Sequence, residues 1–391
     1  GIVPNKAVQA TAALLDFLYI ARYETHSTDT LQDLQAALSE FHQYKEVFTE
    51  HGVRTHLKLP KLHALQHYVG SIENLGTTDN YDTEATERLH IDLAKHAFQA
   101  TNKRDFTYQM CQWLERRERV FWFATHLAYQ KGTIFSSSLH KARVTAHAAR
   151  PKRSAVHLAK KPHQPRIRLP QLIREFGISG FLDTMRTFLR KWHKSPSWRG
   201  FEAELPDDVD RALRRLPSVR TWSHATFTIP NLQTEAAKDV VNKAYASPQR
   251  GRFDTVLVQT GEPEEAGAGG LKGIRVGRLR AIFAIPEAYQ VALFGADTPG
   301  PLAFVEWFTP PPRRANNVNG MLEVVRLRTA NGDPQREIVE LADIRRSCQL
   351  VPKFGDASIN RSVTPTTILD EYDEFYLNNR LDKNMYNTLF W

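Results

Sequence analysis

With 391 residues, 41% of them hydrophobic and 10% aromatic, the chain has enough apolar mass for two or three cored domains. No apolar run approaches the roughly 20 residues that cross a bilayer, and Gly1 to Gln9 lacks the basic-then-apolar layout of a signal peptide, which argues against membrane insertion and export. The net charge of +9 is concentrated, because ten Lys and Arg and no Asp or Glu fall between Lys131 and Pro170.

Gly1 is followed within a few residues by a helical pattern, so the chain is expected to be a piece of a longer product. From Val8 to Tyr23 the run VQATAALLDFLYIARY is unbroken by Gly or Pro and reads as a buried helix. A strand carrying Asp16 as an acid is the competing reading, and length favours the helix. A second helix is capped within Ser27 to Thr30 and carries Leu31, Leu34, Leu38 and Phe41 at helical spacing. A third starts at Pro60, and Gly76 with Thr77 to Asp82 forms a turn. TEATERLHIDLAKHAFQ follows as a helix capped by Asp82, and another helix covers about Phe106 to Tyr129.

The expected organisation is α+β. Residues 1–131 read as helical, 132–170 as a basic flexible linker, 171–252 as a helical connecting region and 253–391 as a β-rich domain. In the last, FDTVLVQT, VGRLRAIFAI, LAFVEWFT, MLEVVRLR and REIVELA alternate in polarity between turn residues, the pattern of a small antiparallel β-barrel or sandwich. Trp307 and Phe308 alternate faces, so one points inward and the other is a candidate for an exposed partner contact. Glu262 to Gly273 is Gly-rich without phosphate-loop spacing and reads as a hairpin connection. Cys111 and Cys348, the only cysteines, have no metal-ligand or disulfide spacing, which fits a reducing compartment.

The chemistry-bearing candidates are few. Steps of three and four from Glu87 give Ile91, Ala94 and Phe98, an apolar stripe expected to face a core, with Glu84 one turn earlier on the same face. A carboxylate at the mouth of such a stripe either marks a helix start, where it complements the dipole, or ligates a metal. His63 and His67 stand at i and i+4, a spacing that can chelate a metal, but no third ligand is evident and surface histidines are the simpler reading. His90 lies one turn beyond Glu87 and could orient it. In the basic segment, Lys141, Arg143, Arg150, Lys152, Arg153, Lys160, Lys161, Arg166 and Arg168 could grip phosphates without reading sequence, since Phe135 is the only aromatic there. Arg150 to Arg153 or Lys160-Lys161 could equally serve nuclear import, or the stretch could be a solvated linker.

The stretch from Leu59 to Glu118 resembles the region that carries the last catalytic acid in Plavaka-type fungal transposases, relatives of the CACTA (EnSpm) transposons. Its core reads LPKLHALQHYVGSIENLGTTDNYDTEATERLHIDLAKHAFQATNKRDFTYQMCQWLERRE. In that group a basic residue and histidines precede a helix, a Gly turn follows, and the Glu sits one turn into the next helix. Lys61, His63, His67 and Gly76 match those features, and the acid falls on Glu87, with Glu84 as its rival. The likeness continues through VGRLRAIFAIP, LAFVEWFTP, ADIRRSCQLVPKFG and LDEYDEFYLNNRLDKNMYNTLFW.

The resemblance implies that residues 1–131 end an RNase H-like catalytic domain, in which two strand-borne Asp and this Glu hold Mg2+ or Mn2+ for phosphoryl displacement at transposon ends. It also implies a nuclear protein that binds duplex DNA and can self-associate, with no small-molecule substrate and no membrane. The strands with the two Asp, and the family's zinc finger, would precede Gly1. The chain alone is therefore expected to be inert and to bind no stable metal. The alternative is a non-enzymatic, transposon-derived module for DNA tethering or protein interaction, with Glu87 a relic.

Overall fold

The computed structural model describes residues 3–81, 83, 87, 89–130, 155–193, 205–229, 240–260, 273–312, 314–355, 363–364, 366–382 and 385–386. They fall into two compact units, the first of residues 1–21, 25–67 and 153–391 and the second of residues 22–24 and 68–152.

The first unit begins with a helical pair, α1 (Asn5–Ile20) and α2 (Thr28–Tyr44). Ala7, Ala10, Ala13, Phe17 and Ile20 recur at helical spacing and are buried, and α2 buries Leu34, Ala37, Leu38 and Phe41 in turn. The three alanines keep side chains short where the helices meet, and a fully buried residue such as Phe17 contributes about 1.5–3 kcal/mol. A reciprocal cap starts α2: Ser27 Oγ accepts from the Thr30 amide at 3.2 Å and Thr30 Oγ1 accepts from the Ser27 amide at 2.9 Å. The helical reading of the first segment therefore holds, and the strand alternative for Asp16 falls. A short helix, α3 (Pro60–Ala64), continues into a 3-10 turn at Leu65–His67.

The rest of the unit is built on β1 (Ala155–His157), β2 (Gln164–Arg168), β3 (Ser218–Trp222), β4 (His224–Ile229), β5 (Val240–Ser247), β6 (Arg252–Phe253) and β7 (Thr255–Gln259). It is completed by β8 (Ile274–Ala284), β9 (Leu302–Trp307), β10 (Leu322–Val325), β11 (Arg336–Glu340), β12 (Ile344–Cys348), β13 (Leu350–Pro352) and β14 (Glu374–Leu377). A seven-stranded sheet runs β11-β9-β8-β3-β2, with β7 on β8 and β12 on β7. β8 is its spine. Its first half pairs with β7, its last residues pair with β3, and its other edge pairs with β9 across a bulge between Leu279 and Ala281.

Alternation along the strands sends side chains to two cores. Phe283, Phe304 and Ile338 meet the helices α4 (Leu169–Phe176), α5 (Phe181–His193), α6 (Asp207–Arg214) and α7 (Glu287–Phe294) through Phe176, Phe181, Leu213 and Leu293. Ile282, Val305 and Trp307 face the opposite way, onto Phe227 and Ala244 of a second sheet ordered β1-β4-β5-β6. A third sheet, β10-β14-β13, packs Val324, Phe375 and Leu377 against Leu257, Val276 and Phe308.

All described pairings are antiparallel, and the α+β class is as expected. Three expectations need correction. The sheets are open, so the β region is layered and not a closed barrel. β1 and β2 lie within 132–170 and pair with β4 and β3, so the linker does not reach residue 170. β3, β4 and β5 lie in the region expected to be only helical and connecting. Trp307 and Phe308 also both end in cores, which removes the exposed-aromatic reading.

The second unit contains the helix Tyr68–Leu75, a turn at Gly76 (φ +86°), a π-helical turn at His90–Lys95 running into His96–Gln99, and a long helix Phe106–Gln130. Phe98 meets Phe106 edge-on at 5.2 Å. Much of this unit's apolar surface is uncovered: Leu89, Ile91, Leu93, Phe98 and Phe106 are exposed, and Val120, Phe121, Trp122 and Phe123 are each 61–68% exposed.

Candidate functional site

Glu87 sits in the second unit, in a helical turn where its amide donates to the Thr83 carbonyl at 2.9 Å. It is exposed and forms no ion pair among the described residues. Glu84 lies outside the described residues. The stripe expected to bury itself does not: Ile91 and Phe98 are exposed, while Ala97 is the buried position. The π-helical turn explains the slip. Its wider winding moves every residue after His90 off the 3.6-residue register that links Glu87 to Phe98, and such turns recur at functional sites. His90, which opens the turn, is exposed.

A divalent pair needs several oxygen ligands. Among the described residues no three His, Cys, Asp or Glu side chains come together, so those residues do not fit the implied metal pair, and Glu87 offers one carboxylate. His63 and His67, both exposed, place their Nε2 atoms 3.3 Å apart with rings edge to face, so one imidazole donates to the other. They have each other as partners. Asp16, the other acid singled out, is bound to Arg380 through two contacts of 2.7 and 2.8 Å, and neighbouring Tyr19 donates to the Arg380 carbonyl at 2.9 Å. Those bonds fasten α1 to the last strand's exit and give Asp16 a structural role.

Of the basic candidates, Lys141, Arg143, Arg150, Lys152 and Arg153 lie outside the described residues. Lys160, Lys161, Arg166 and Arg168 are exposed, with no ion pair among the described residues. Arg166 and Arg168 project from β2, which ends the order of the large sheet. Ile167 between them is buried, so the two guanidiniums share the outer face. Charge on an edge strand also discourages pairing with another chain, a purely structural use of the same residues.

Sequence reasoning missed a buried charge network. Arg278, Arg326 and Glu306 are almost fully buried, and Arg280 nearly so. Arg278 binds Asp370 in a fork whose second contact is 3.0 Å, while Arg326 lies 3.6 Å from Glu306 and 3.3 Å from Asp373. Arg280 donates to the Phe176 carbonyl at 2.7 Å. Burial pushes the Arg280 and Arg326 guanidiniums below their ordinary range, and Glu306 opposes that shift. The signal was available in VGRLRAIFAI: two arginines two residues apart in an otherwise apolar strand share one face and need an acid opposite, which Glu306 on β9 supplies.

No protein-family model matches the chain, nor does any curated protein or solved structure with which it was compared.

Proposed function

We propose that this chain is the C-terminal part of a cut-and-paste DNA transposase of the Plavaka type, in which Glu87 supplies one acid of a catalytic site whose other acids lie on strands outside the chain. The observation that supports this reading is the uncovered apolar surface of the second unit, from Leu89 to Phe98 and again from Val120 to Phe123. Four consecutive apolar residues around a helix point to most of its circumference, and exposed patches of this kind mark surfaces that another body covers. The sheet of an RNase H-like core is such a body. Glu87 stands in the segment that would border it, exposed and unengaged among the described residues.

Duplex DNA is the substrate in this reading. Lys160, Lys161, Arg166 and Arg168, together with Lys141, Arg143, Arg150, Lys152 and Arg153, supply sequence-independent contacts to phosphates, and the nucleus is the compartment. A second reading, a non-enzymatic DNA-tethering module, is favoured by one fact: the first unit has cores of its own and carries Arg166 and Arg168 on it.

The two readings separate on one substitution. In the full-length transposase, Glu87→Gln is expected to lower strand cleavage at transposon ends by at least 100-fold, about the lower bound for losing an electrostatic catalytic group, while duplex binding stays unchanged. Normal cleavage by that variant, with loss in Glu84→Gln, moves the role to Glu84. Normal cleavage by both removes the catalytic role from this chain's two candidate acids.

A further inference from the structure

Between the end of α2 and the start of α3 the first unit has a cleft of about 340 Å3, lined by His42, Lys45, Lys58, His63 and Gln66 among apolar walls such as Leu59. No Asp or Glu lines it. His42 Nδ1 is 2.9 Å from Lys45 Nζ. An ammonium only donates, so Nδ1 accepts and the ring proton sits on Nε2. Burial, and then the Lys45 charge, hold His42 below the ordinary histidine range, which favours the neutral ring. The Nε2 atom is buried and has no hydrogen-bond partner among the described residues.

We infer that this cleft is a phosphate site, in which the Lys45 and Lys58 ammonium groups hold one phosphodiester of a nucleic-acid backbone. Two cations without a facing acid exclude a metal or a basic ligand. The volume is at the low end of ligand clefts and suits a phosphate with part of its sugar. His63, already bonded to His67, adds a second imidazole to the same wall. The site uses none of the basic residues after Lys131 and rests on the DNA reading above only for the source of the phosphate.

The test is binding of the whole chain to a labelled duplex over a range of salt, comparing the native protein with the double variant Lys45→Ala, Lys58→Ala. Each phosphate neutralised contributes about 0.9 to the slope of log affinity against log salt, so losing the one phosphodiester held here should make the variant slope shallower by about 1. An unchanged slope in a variant with native circular dichroism overturns the cleft as a DNA contact. A native chain that binds no duplex at all contradicts the proposed DNA grip instead. Inorganic phosphate then decides the cleft: replacing chloride with phosphate at equal ionic strength should raise the thermal midpoint of the native chain and not of the variant. An equal rise in both overturns the site.

Discussion

At Glu306 one buried carboxylate faces three guanidiniums, of which Arg278 and Arg326 are almost wholly out of water. The half-exposed Asp370 and Asp373 complete the balance from the surface side. Removing one partner of a buried set strands the rest, so Glu306→Gln is expected to lower unfolding free energy by about 3–5 kcal/mol in a urea titration. A loss below about 1 kcal/mol would mean that water or Asp370 already satisfies the arginines. The cysteines offer a cleaner contrast. Burial pushes the Cys348 thiol up to about 12, whereas Cys111 is exposed on the long helix. A thiol reagent at pH 8 should therefore titrate one cysteine in the native chain and two after unfolding, and two in the native chain would contradict the buried placement.

Among the elements, α4 ends at Gly177 with φ +64°, a left-handed conformation that costs other residues about 1–2 kcal/mol. A Cβ there would also run into the Arg280 guanidinium, which is held against the Phe176 carbonyl. Gly177→Ala should thus destabilise by more than about 1 kcal/mol by chemical denaturation. A neutral effect would show that Arg280 can leave the turn freely. The helices and the spine of the sheet were legible because their signals are strong: α1 and α2 repeat apolar residues at helical spacing, and VGRLRAIFAI alternates as β8 does. β2 was not legible, since QPRIR contains a proline, two exposed arginines and one buried residue, Ile167. β5 hides for a different reason, because its buried positions include Ala244 and Ala246, which carry little hydropathy. The stripe through Glu87 misled for a geometric reason, the π-helical turn that no 3.6-residue template anticipates.

On the scale of the whole molecule, the first unit is closed on itself by its cores and by the Asp16–Arg380 tie between the first helix and the last strand's exit. The second unit is the opposite case, with Tyr23, Ile72 and Ala97 its buried residues among those described, and a row of exposed aromatics. The proposed catalytic role falls in the second unit, where Glu87 lies, and the proposed DNA grip draws on basic residues of both. The Plavaka resemblance supplied the identity of the acid, and nothing in composition or spacing would have singled out Glu87 over Glu84. The most direct test places the metal. If the full-length protein is the proposed transposase, then with Fe2+ substituted for Mg2+ in its DNA complex, ascorbate and peroxide cut the polypeptide wherever the ion is held. The account predicts a backbone cut within a few residues of Glu87 that disappears in Glu87→Gln. Cuts confined to other segments, unchanged by that substitution, would contradict it.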